Sequence, residues 1–472
     1  MKKYTALAEI QTLIAQQKLS LADLLEYYFQ QIEEYKHLNA FNEVFFLSAR
    51  KQAEVIQEKI NNNTAGKLAG MVIGIKDNIC YQNHLVTASS RMLEHFVSPY
   101  SATVVERLLA EDAIIIGRLN CDEFAMGGSN ETSYFGPVRN AADQERVAGG
   151  SSGGSAVAVQ ADMCLASLGT DTGGSVRQPA AFCGCIGLKP TYGRISRYGV
   201  IAYASSFDQV GTITSSVEDA ALLLEVLAGA DEHDSTVSEQ PVPAYTKALA
   251  PPLKQKIAVL RETLESEALD PEIREAILKG IEQLKAEGHE VEYVSFELLD
   301  YLVPAYYVLT AAEASSNLSR YDGVHYGYRN QEAKDLNQLY KLSRAEGFGP
   351  EVKRRIMLGT FILSAGYYDA YYQKAQKVRR LIRDKIEGLL QQYDAILLPV
   401  TPTPAFKIGE NIKDPLVMYM EDIFTVLASL SGVPAISLPL GNNNAGLPLS
   451  VQLLAGHFKE SALLNLSHAF LK

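Results

Sequence analysis

Two clusters of glycine and serine constrain this chain more than any other feature of its sequence. Nine of the 34 glycines fall between residues 148 and 190, within the runs GGSSGG at 149–154 and TDTGGS at 170–175 and their surroundings. The first run precedes a helical segment, and the second follows LASLG at 165–169, a short apolar run typical of a buried strand. Glycines in such turns allow successive backbone N–H groups to point at one spot, as in an oxyanion hole. The pattern therefore predicts two tight loops, with Ser175 inside the second.

Short apolar runs alternate with helical segments through much of the chain. Helices are predicted near 101–111 and over 155–161. Further strands are predicted at MVIGI (71–75), AIIIG (113–117), AILLPV (395–400), AISLPL (435–440) and SVQLLAG (450–456). The alternation predicts an α/β fold built on a mixed sheet.

We expect a single domain over 1–472, made of five consecutive segments. They are an N-terminal helical layer (1–65), a core that holds both glycine clusters (66–232), a Pro-, Ser- and Thr-rich connecting loop (233–254), a second lobe with long helices (255–394) and C-terminal strands that rejoin the core (395–472). In the first segment, Ser20 and Asp23 form a helix-capping pattern. The second lobe should contain a strand–helix–strand unit over 256–296 and helices over 303–320 and 349–391.

Charge and composition exclude several classes of function. The chain has 43 Lys and Arg against 55 Asp and Glu, a net charge of −12, so its surface on average repels nucleic acid. The first residues lack the unbroken apolar stretch of a signal peptide, and we expect a cytoplasmic protein. The uncharged stretch 423–457 is interrupted by Gly432 and Pro434, so we interpret it as a buried helix, a turn and a buried strand rather than a membrane span.

The cysteines of the chain do not predict a disulfide framework or a metal site. There are five of them, an odd number in a large chain, and we expect reduced, buried thiols. Cys183 and Cys185 are separated by one residue, but a zinc site needs a second pair or histidines, and the sequence has no such cluster.

A serine in a glycine loop has several chemical interpretations. GGSSGG fits a nucleophile elbow at Ser151 or Ser152, which requires an acid and a histidine downstream, but the downstream histidines lie in polar or helical contexts. Phosphate binding would need the lysine that ends a P-loop or the GxGxxG spacing of a dinucleotide site, and both are missing. Without histidine, a nucleophilic serine needs another base, and a lysine kept neutral by burial can serve.

Lys76 is the candidate base. It ends the apolar run MVIGIK and precedes Asp77 and Asn78, and burial at such a position would lower its pKa. Most lysines at strand ends are solvated, so this pattern alone leaves the base unassigned.

Four segments of the sequence resemble the amidase signature family. They are GIKDNI (74–79), GGSSGGS (149–155), GTDTGGSVRQPAAFCGCIGLKPT (169–191) and YGRISRYGVIAYASSFDQVG (192–211), and the similarity extends through the whole chain. The resemblance implies the amidase-signature fold, a central mixed sheet covered by helices on both faces. It also implies a catalytic triad of Lys76 as the base, Ser151 as a bridging serine held by a cis peptide and Ser175 as the nucleophile that forms an acyl ester. The oxyanion hole would then be the backbone at Thr172, Gly173 and Gly174.

Further segments are similar to one branch of that family, the glutaminase subunits of the glutamyl-tRNA(Gln) and aspartyl-tRNA(Asn) amidotransferases. They are 120–140, 306–327 and 347–379. Ala148 and Gly128 depart from the branch, where proline and serine are common, but neither belongs to the triad.

The branch implies a site for glutamine, whose α-ammonium and α-carboxylate need one fixed anion and one fixed cation. Asp422 and Arg355 match these positions, with Tyr306 and Ser129 as further contacts. A charge on a helix surface is the competing interpretation of Arg355, which follows Lys353 and Arg354. A carboxylate at Asp422, beside the uncharged stretch, would be costly to bury without a partner.

The resemblance also implies partners. The chain would hydrolyse glutamine and supply ammonia for the conversion of Glu-tRNA(Gln) to Gln-tRNA(Gln), or of Asp-tRNA(Asn) to Asn-tRNA(Asn), in a heterotrimer with the B and C subunits of the amidotransferase. The B subunit would bind the tRNA and use ATP and Mg²⁺, so this chain itself is expected to need no cofactor and no metal. The alternative is a free-standing amidase of small or aryl amides, and the sequence leaves open which tRNA pathway is served.

Overall fold

The computed structural model describes residues 3–472, and within them eleven strands form one mixed sheet. The strands are β1 (Phe41–Val44), β2 (Val72–Lys76), β3 (Ile114–Leu119), β4 (Ala166–Asp171), β5 (Ile186–Lys189), β6 (Gln209–Thr214), β7 (Lys256–Leu260), β8 (Glu290–Val294), β9 (Ala395–Pro399), β10 (Ala435–Asn442) and β11 (Pro448–Ala455). Their order across the sheet is β1-β3-β2-β4-β6-β5-β10-β11-β9-β7-β8.

The pairing of the strands explains their apolar sequences. β2 pairs in parallel with β3 and β4, and β7 pairs in parallel with β8 and β9. The pairs that link β4 to β9 through the centre of the sheet are antiparallel. Every residue of β2, β3, β4 and β6 is buried, which requires cover on both faces. The predicted α/β class, a mixed sheet covered by helices on both faces, is confirmed.

Sixteen α-helices pack around this sheet within residues 3–472. They are α1 (Leu7–Ala15), α2 (Leu21–Glu34), α3 (Phe46–Asn61), α4 (Thr103–Ala110), α5 (Gly153–Gln160), α6 (Arg177–Phe182), α7 (Val217–Leu227), α8 (Arg261–Glu265), α9 (Pro271–Ala286), α10 (Leu302–Asn317), α11 (Leu336–Gly347), α12 (Pro350–Ile362), α13 (Lys374–Leu390), α14 (Pro415–Met420), α15 (Val426–Ser431) and α16 (Glu460–Phe470). The predicted cap of α2 is present, since the Ser20 hydroxyl accepts a hydrogen bond from the N–H of Asp23 at 3.1 Å.

One predicted helical stretch is interrupted. The segment 349–391 forms α12 and α13 with a short π-helix, Tyr368–Gln373, between them. Gly366 has a φ of +86°, a left-handed conformation that glycine adopts without strain and that ends a helix. The break was therefore readable in the sequence at this glycine.

The C-terminal strands join the first part of the chain in one sheet. β10 pairs with β5 and β11, while β7 and β8 extend the same sheet at its far edge through β9. Gly432, at a φ of +79°, separates the buried α15 from β10, which is the helix, turn and strand that we expect from 423–457. None of the helices in residues 3–472 is long and apolar enough to cross a membrane. The four boundaries between the five predicted segments stay predictions.

Candidate active site

The parallel strands β2 and β4 end side by side, and this places Lys76 where the two glycine clusters meet. The side chain of Lys76 is fully buried, and its Nζ lies 2.7 Å from Ser151 Oγ and 2.9 Å from Ser152 Oγ. Thr170 Oγ1 accepts a further hydrogen bond from the same amine at 3.0 Å. The structure thus brings the predicted base and the predicted bridging serine into direct contact.

Burial lowers the pKa of Lys76 to about 8, although Cys121, Asp122, Asp171 and Asp208 nearby act in the opposite direction. An ammonium ion deep in a protein loses its hydration, and the polar contacts around it do not fully replace it. Near neutral pH most of this amine is still protonated, but the unprotonated fraction that can accept a proton is far larger than for an ordinary lysine.

Ser151 lies in a loop whose backbone is held from several sides. The peptide bond between Gly150 and Ser151 is cis, as the resemblance implies. The N–H of Gly150 donates to Gln178 Oε1 at 2.8 Å, and the carbonyl of Ser151 accepts from the N–H of Asp122 at 3.1 Å. These contacts fix the side chain of Ser151 at Lys76.

The sequence offers Ser152 only as an alternative elbow nucleophile, whereas in the structure its hydroxyl shares the amine of Lys76 with Ser151. Its hydroxyl accepts from Lys76 and also contacts the backbone of Thr170, with its N–H at 3.3 Å and its carbonyl at 3.3 Å. A Cβ at Gly169 would lie 2.7 Å from Ser152 Oγ, so only glycine leaves room for this hydroxyl. The second serine of the GGSSGG run thus orients the lysine.

Ser175 lies in the loop after β4 and is buried. Its carbonyl accepts from the N–H of Ser152 at 3.1 Å, which joins the two glycine loops. Its hydroxyl makes no hydrogen bond with any residue in the part of the chain that the structure describes, and it is not bonded to Ser151. The link between the two serine hydroxyls therefore stays a prediction.

A buried ion pair holds the Ser175 loop, and sequence reasoning missed it. Arg177 and Asp171 are both fully buried and form two hydrogen bonds, from Nη2 to Oδ1 at 2.9 Å and from Nε to Oδ2 at 3.0 Å. The same carboxylate accepts from the N–H groups of Gly174 at 2.9 Å and Val176 at 3.2 Å. Burial alone would raise the pKa of Asp171, but the arginine and these N–H groups outweigh burial and lower it.

One of the backbone N–H groups of the predicted oxyanion hole is already used by the Asp171 carboxylate. The N–H of Gly174 is donated to Asp171, whereas those of Gly173 and Ser175 have no acceptor among residues 3–472. Gly174 has a φ of +137°, and a Cβ there would lie 2.3 Å from Thr425 Oγ1, so the turn requires glycine. The role of Thr172, Gly173 and Gly174 stays a prediction, and the N–H of Ser175 joins them as a candidate donor.

Arg355 is buried, so it is not the surface charge that its neighbours suggest. Its Nε donates to Glu351 Oε1 at 2.8 Å, and its Nη1 donates to the hydroxyl of Tyr203 at 2.8 Å. The guanidinium carbon also lies 5.2–5.5 Å from the ring centres of Tyr203, Tyr307 and Tyr419. Three rings and one carboxylate thus hold this cation, while its Nη2 makes no hydrogen bond within residues 3–472.

Asp422 contacts Tyr307, one of the same three tyrosines. Its Oδ2 accepts from the hydroxyl of Tyr307 at 2.6 Å. Burial raises the pKa of Asp422 to about 7, against the opposing effects of Tyr307 and Arg355. Near neutral pH a cation at this carboxylate would therefore stabilise its ionised form.

The other two predicted contacts adjoin the glycine loops. Tyr306 packs against Gly173 so closely that a Cβ there would lie 2.4 Å from the tyrosine hydroxyl. Ser129 is buried, and its N–H would lie 2.8 Å from a Cβ at Gly150. Both residues therefore lie beside the backbone that carries the predicted triad.

A cavity of about 530 Å³ opens beside these residues. Its wall includes Ser129, Tyr307 and Arg355, whereas Lys76, Ser151 and Ser175 are not among the residues that line it. Ser129, which lines the cavity, adjoins Gly150 in the loop that carries Ser151. A small molecule of the size of an amino acid fits this volume.

No group of three or more His, Cys, Asp or Glu side chains is arranged to hold a metal ion within residues 3–472. The five cysteines are free and buried, as predicted. Burial raises the pKa of the Cys183 and Cys185 thiols, so both favour the protonated form.

Comparisons with known proteins identify the family of this chain. A family profile described as Amidase matches residues 23–464. The chain is 48% identical to the A subunit of the glutamyl-tRNA(Gln) amidotransferase of Bdellovibrio bacteriovorus, over 99% of this chain and 96% of the relative. The crystal structure of the A subunit of the glutamyl-tRNA(Gln) amidotransferase from Thermotoga maritima superimposes with a TM-score of 0.78 at 41% identity, covering 95% of this chain and 93% of that one. The peptide amidase from Stenotrophomonas maltophilia superimposes with a TM-score of 0.83 at 28% identity, over 99% and 96% of the two chains. The chain belongs to the amidase family.

Proposed function

We propose that this chain is the glutaminase subunit of a tRNA-dependent amidotransferase. It hydrolyses the side-chain amide of glutamine and supplies ammonia for the conversion of Glu-tRNA(Gln) to Gln-tRNA(Gln). The observation that carries the proposal is the pairing of two features. The buried Lys76 contacts Ser151 at 2.7 Å, and the nearby cavity presents Arg355, with the carboxylate of Asp422 next to its wall.

The first half of the reaction forms an acyl ester. Ser175 Oγ attacks the amide carbon of glutamine and passes its proton to Ser151, whose own proton moves to the neutral amine of Lys76. The tetrahedral oxyanion is stabilised by backbone N–H groups of the second glycine loop. Return of the proton to the amide nitrogen through Ser151 breaks the C–N bond, and ammonia leaves.

The second half restores the enzyme. A water molecule, deprotonated through the same route to Lys76, attacks the ester carbonyl, and the oxyanion again lies at the glycine loop. Collapse of this intermediate breaks the bond between the acyl carbon and Ser175 Oγ, which takes back its proton, and glutamate is released. Lys76 alternates between neutral and protonated forms, which suits a pKa near 8.

Recognition of glutamine falls to the charged groups beside the cavity. The free Nη2 of Arg355 would donate to the α-carboxylate, and Asp422 would accept from the α-ammonium. Tyr306 and Ser129 would contact the rest of the substrate. A site for simple or aryl amides would have no use for a fixed cation and a fixed anion that both contact Tyr307, which favours glutamine.

The partners of the reaction follow from its products. Free ammonia must reach a second active site, and we propose that the B subunit binds the tRNA, activates the glutamyl carboxylate with ATP and Mg²⁺ and receives the ammonia, while the C subunit completes a heterotrimer in the cytoplasm. The net charge of −12 suits a chain that does not itself bind tRNA. The proposal extends to Asp-tRNA(Asn) in a cell that makes this mischarged tRNA.

The test is to co-express the full-length chain with candidate B and C subunits and to follow glutamate release from glutamine. We expect slow turnover by the chain alone and a rise when the partners, Glu-tRNA(Gln) and ATP are present. Ser175→Ala should abolish turnover in both cases. Ser48→Ala, which changes a serine on α3 outside the site, is the matched control and should leave turnover unchanged.

Two results would contradict the proposal. One is efficient hydrolysis of benzamide or propionamide by the chain alone, with no response to the B and C subunits, which would identify a free-standing amidase. The other is full activity of Ser175→Ala, which would remove the nucleophile on which the mechanism depends.

A further inference from the structure

Tyr307 touches both ends of the proposed glutamine site. Its hydroxyl donates to Asp422 Oδ2 at 2.6 Å, and its ring centre lies 5.2 Å from the guanidinium carbon of Arg355. The side chain is buried to 7% exposure and lines the cavity. One residue therefore contacts the proposed anion and the proposed cation for the substrate.

A second chain of contacts closes a ring around the same residues. Tyr419 stacks on Tyr307 with 3.9 Å between ring centres, and its hydroxyl donates to Glu351 Oε1 at 3.0 Å. The same oxygen of Glu351 accepts from Arg355 Nε at 2.8 Å. Direct contacts therefore lead from Asp422 through Tyr307, Tyr419 and Glu351 to Arg355.

This closed set of contacts restricts the side chains of both Arg355 and Asp422. Stacking on aromatic faces and the bond to Glu351 limit rotation of the Arg355 guanidinium, and its Nη2 is left as a donor. The bond from Tyr307 occupies Asp422 Oδ2, and Oδ1 accepts no hydrogen bond within residues 3–472. Each charged group thus keeps one oriented, unused atom for a ligand.

We propose that Tyr307 is a specificity-determining positioning residue for glutamine, with its hydroxyl orienting Asp422 for the α-ammonium and its ring orienting Arg355 for the α-carboxylate. The inference rests on the proposed function and deepens it. It assigns separate tasks to the hydroxyl and the ring, and two substitutions separate them: Tyr307→Phe removes only the hydroxyl, and Tyr307→Leu removes both.

The experiment compares three amides as substrates of the full-length chain co-expressed with its partner subunits. They are glutamine, glutaramate, which lacks the α-ammonium, and γ-aminobutyramide, which lacks the α-carboxylate. Tyr307→Phe should lower kcat/KM for glutamine about tenfold or more, chiefly through KM, while kcat/KM for glutaramate changes less than about twofold. Tyr307→Leu should in addition reduce the preference for glutamine over γ-aminobutyramide by about threefold or more.

Tyr28→Phe is the matched control, since the hydroxyl of Tyr28 is buried without a hydrogen bond among the described residues and its helix is outside the site. An equal loss for all three amides in Tyr307→Phe would show a merely structural role and overturn the inference. Unchanged discrimination in both Tyr307 variants would also overturn it. A wild-type enzyme with no preference for glutamine over the two analogues would instead refute the proposed function, whatever the variants do.

Discussion

Replacement of Arg177 by methionine should destabilise the protein and disorder its catalytic loop. Arg177 and Asp171 are both fully buried, and removal of one partner leaves a charge in the interior without compensation. Breaking such a pair costs about 3–5 kcal/mol of the free energy of unfolding. The cost is high here because the guanidinium also donates to Thr425 O and Gln452 Oε1, both at 2.9 Å.

The expected shift in melting temperature follows from the size of the chain. An unfolding entropy of about 2.1 cal/mol/K per residue gives about 1 kcal/mol/K for 472 residues, so Arg177→Met should lower Tm by about 3–5 °C. Calorimetry measures this shift. Arg380→Met is the control, because Arg380 and Asp384 form an exposed pair that should contribute less than about 1 kcal/mol.

A double variant separates stability from catalysis. Asp171→Leu with Arg177→Met replaces the ion pair by apolar side chains, which should restore much of the lost stability. It should not restore kcat, because the N–H groups of Gly174 and Val176 lose their acceptor. An Arg177→Met variant with wild-type Tm and kcat, or full kcat in the double variant, would refute the reasoning.

Three further outcomes are expected. The rate constant kcat for glutamine should rise with pH through about 8, which is the pKa to which burial lowers Lys76, because only the neutral amine accepts a proton. A flat pH profile of kcat across this range would contradict the role of Lys76 as the base. Asp422→Asn should raise KM for glutamine about tenfold with a smaller change in kcat. The wild-type KM should also rise as pH falls through about 7, where Asp422 becomes protonated. Steady-state kinetics measures both effects, and a KM that neither the substitution nor pH alters would exclude Asp422 from substrate binding. The five buried thiols should react with an aromatic disulfide reagent far more slowly in the native chain than in the unfolded chain, whereas rapid labelling of all five would contradict their burial.

The strands and the two glycine loops could be predicted because their signals are local. Apolar runs such as 113–117 and 165–169 mark buried strands, and the glycines mark loops at their ends. The contact of Lys76 with Ser151 follows from the parallel pairing of β2 and β4, which periodicity suggests but does not specify. Family resemblance supplied the assignment that the residue pattern left open.

The supporting residues could not be predicted from local patterns, with one exception. Asp171 and Arg177 are six residues apart, and nothing in the sequence shows that the arginine turns inward toward Thr425 and Gln452. The ring through Tyr307 and Tyr419 joins segments that are distant in the chain. The exception is Arg355, since Val352, Gly359 and Ile362 are buried on the same face of α12 and the helical spacing places the arginine among them.

The central claim is that Ser175 carries the glutamyl group. The most direct measurement is mass spectrometry of the full-length chain, quenched in acid during turnover of glutamine and digested with pepsin, because no Lys or Arg lies between Arg146 and Arg177 to separate these serines with trypsin. We expect the mass of one glutamyl group on the peptide that contains Ser175, and none on the peptide that contains Ser151 and Ser152. A glutamyl group on the peptide of Ser151, or its absence from Ser175 in an enzyme trapped while acylation outpaces hydrolysis, would contradict the account.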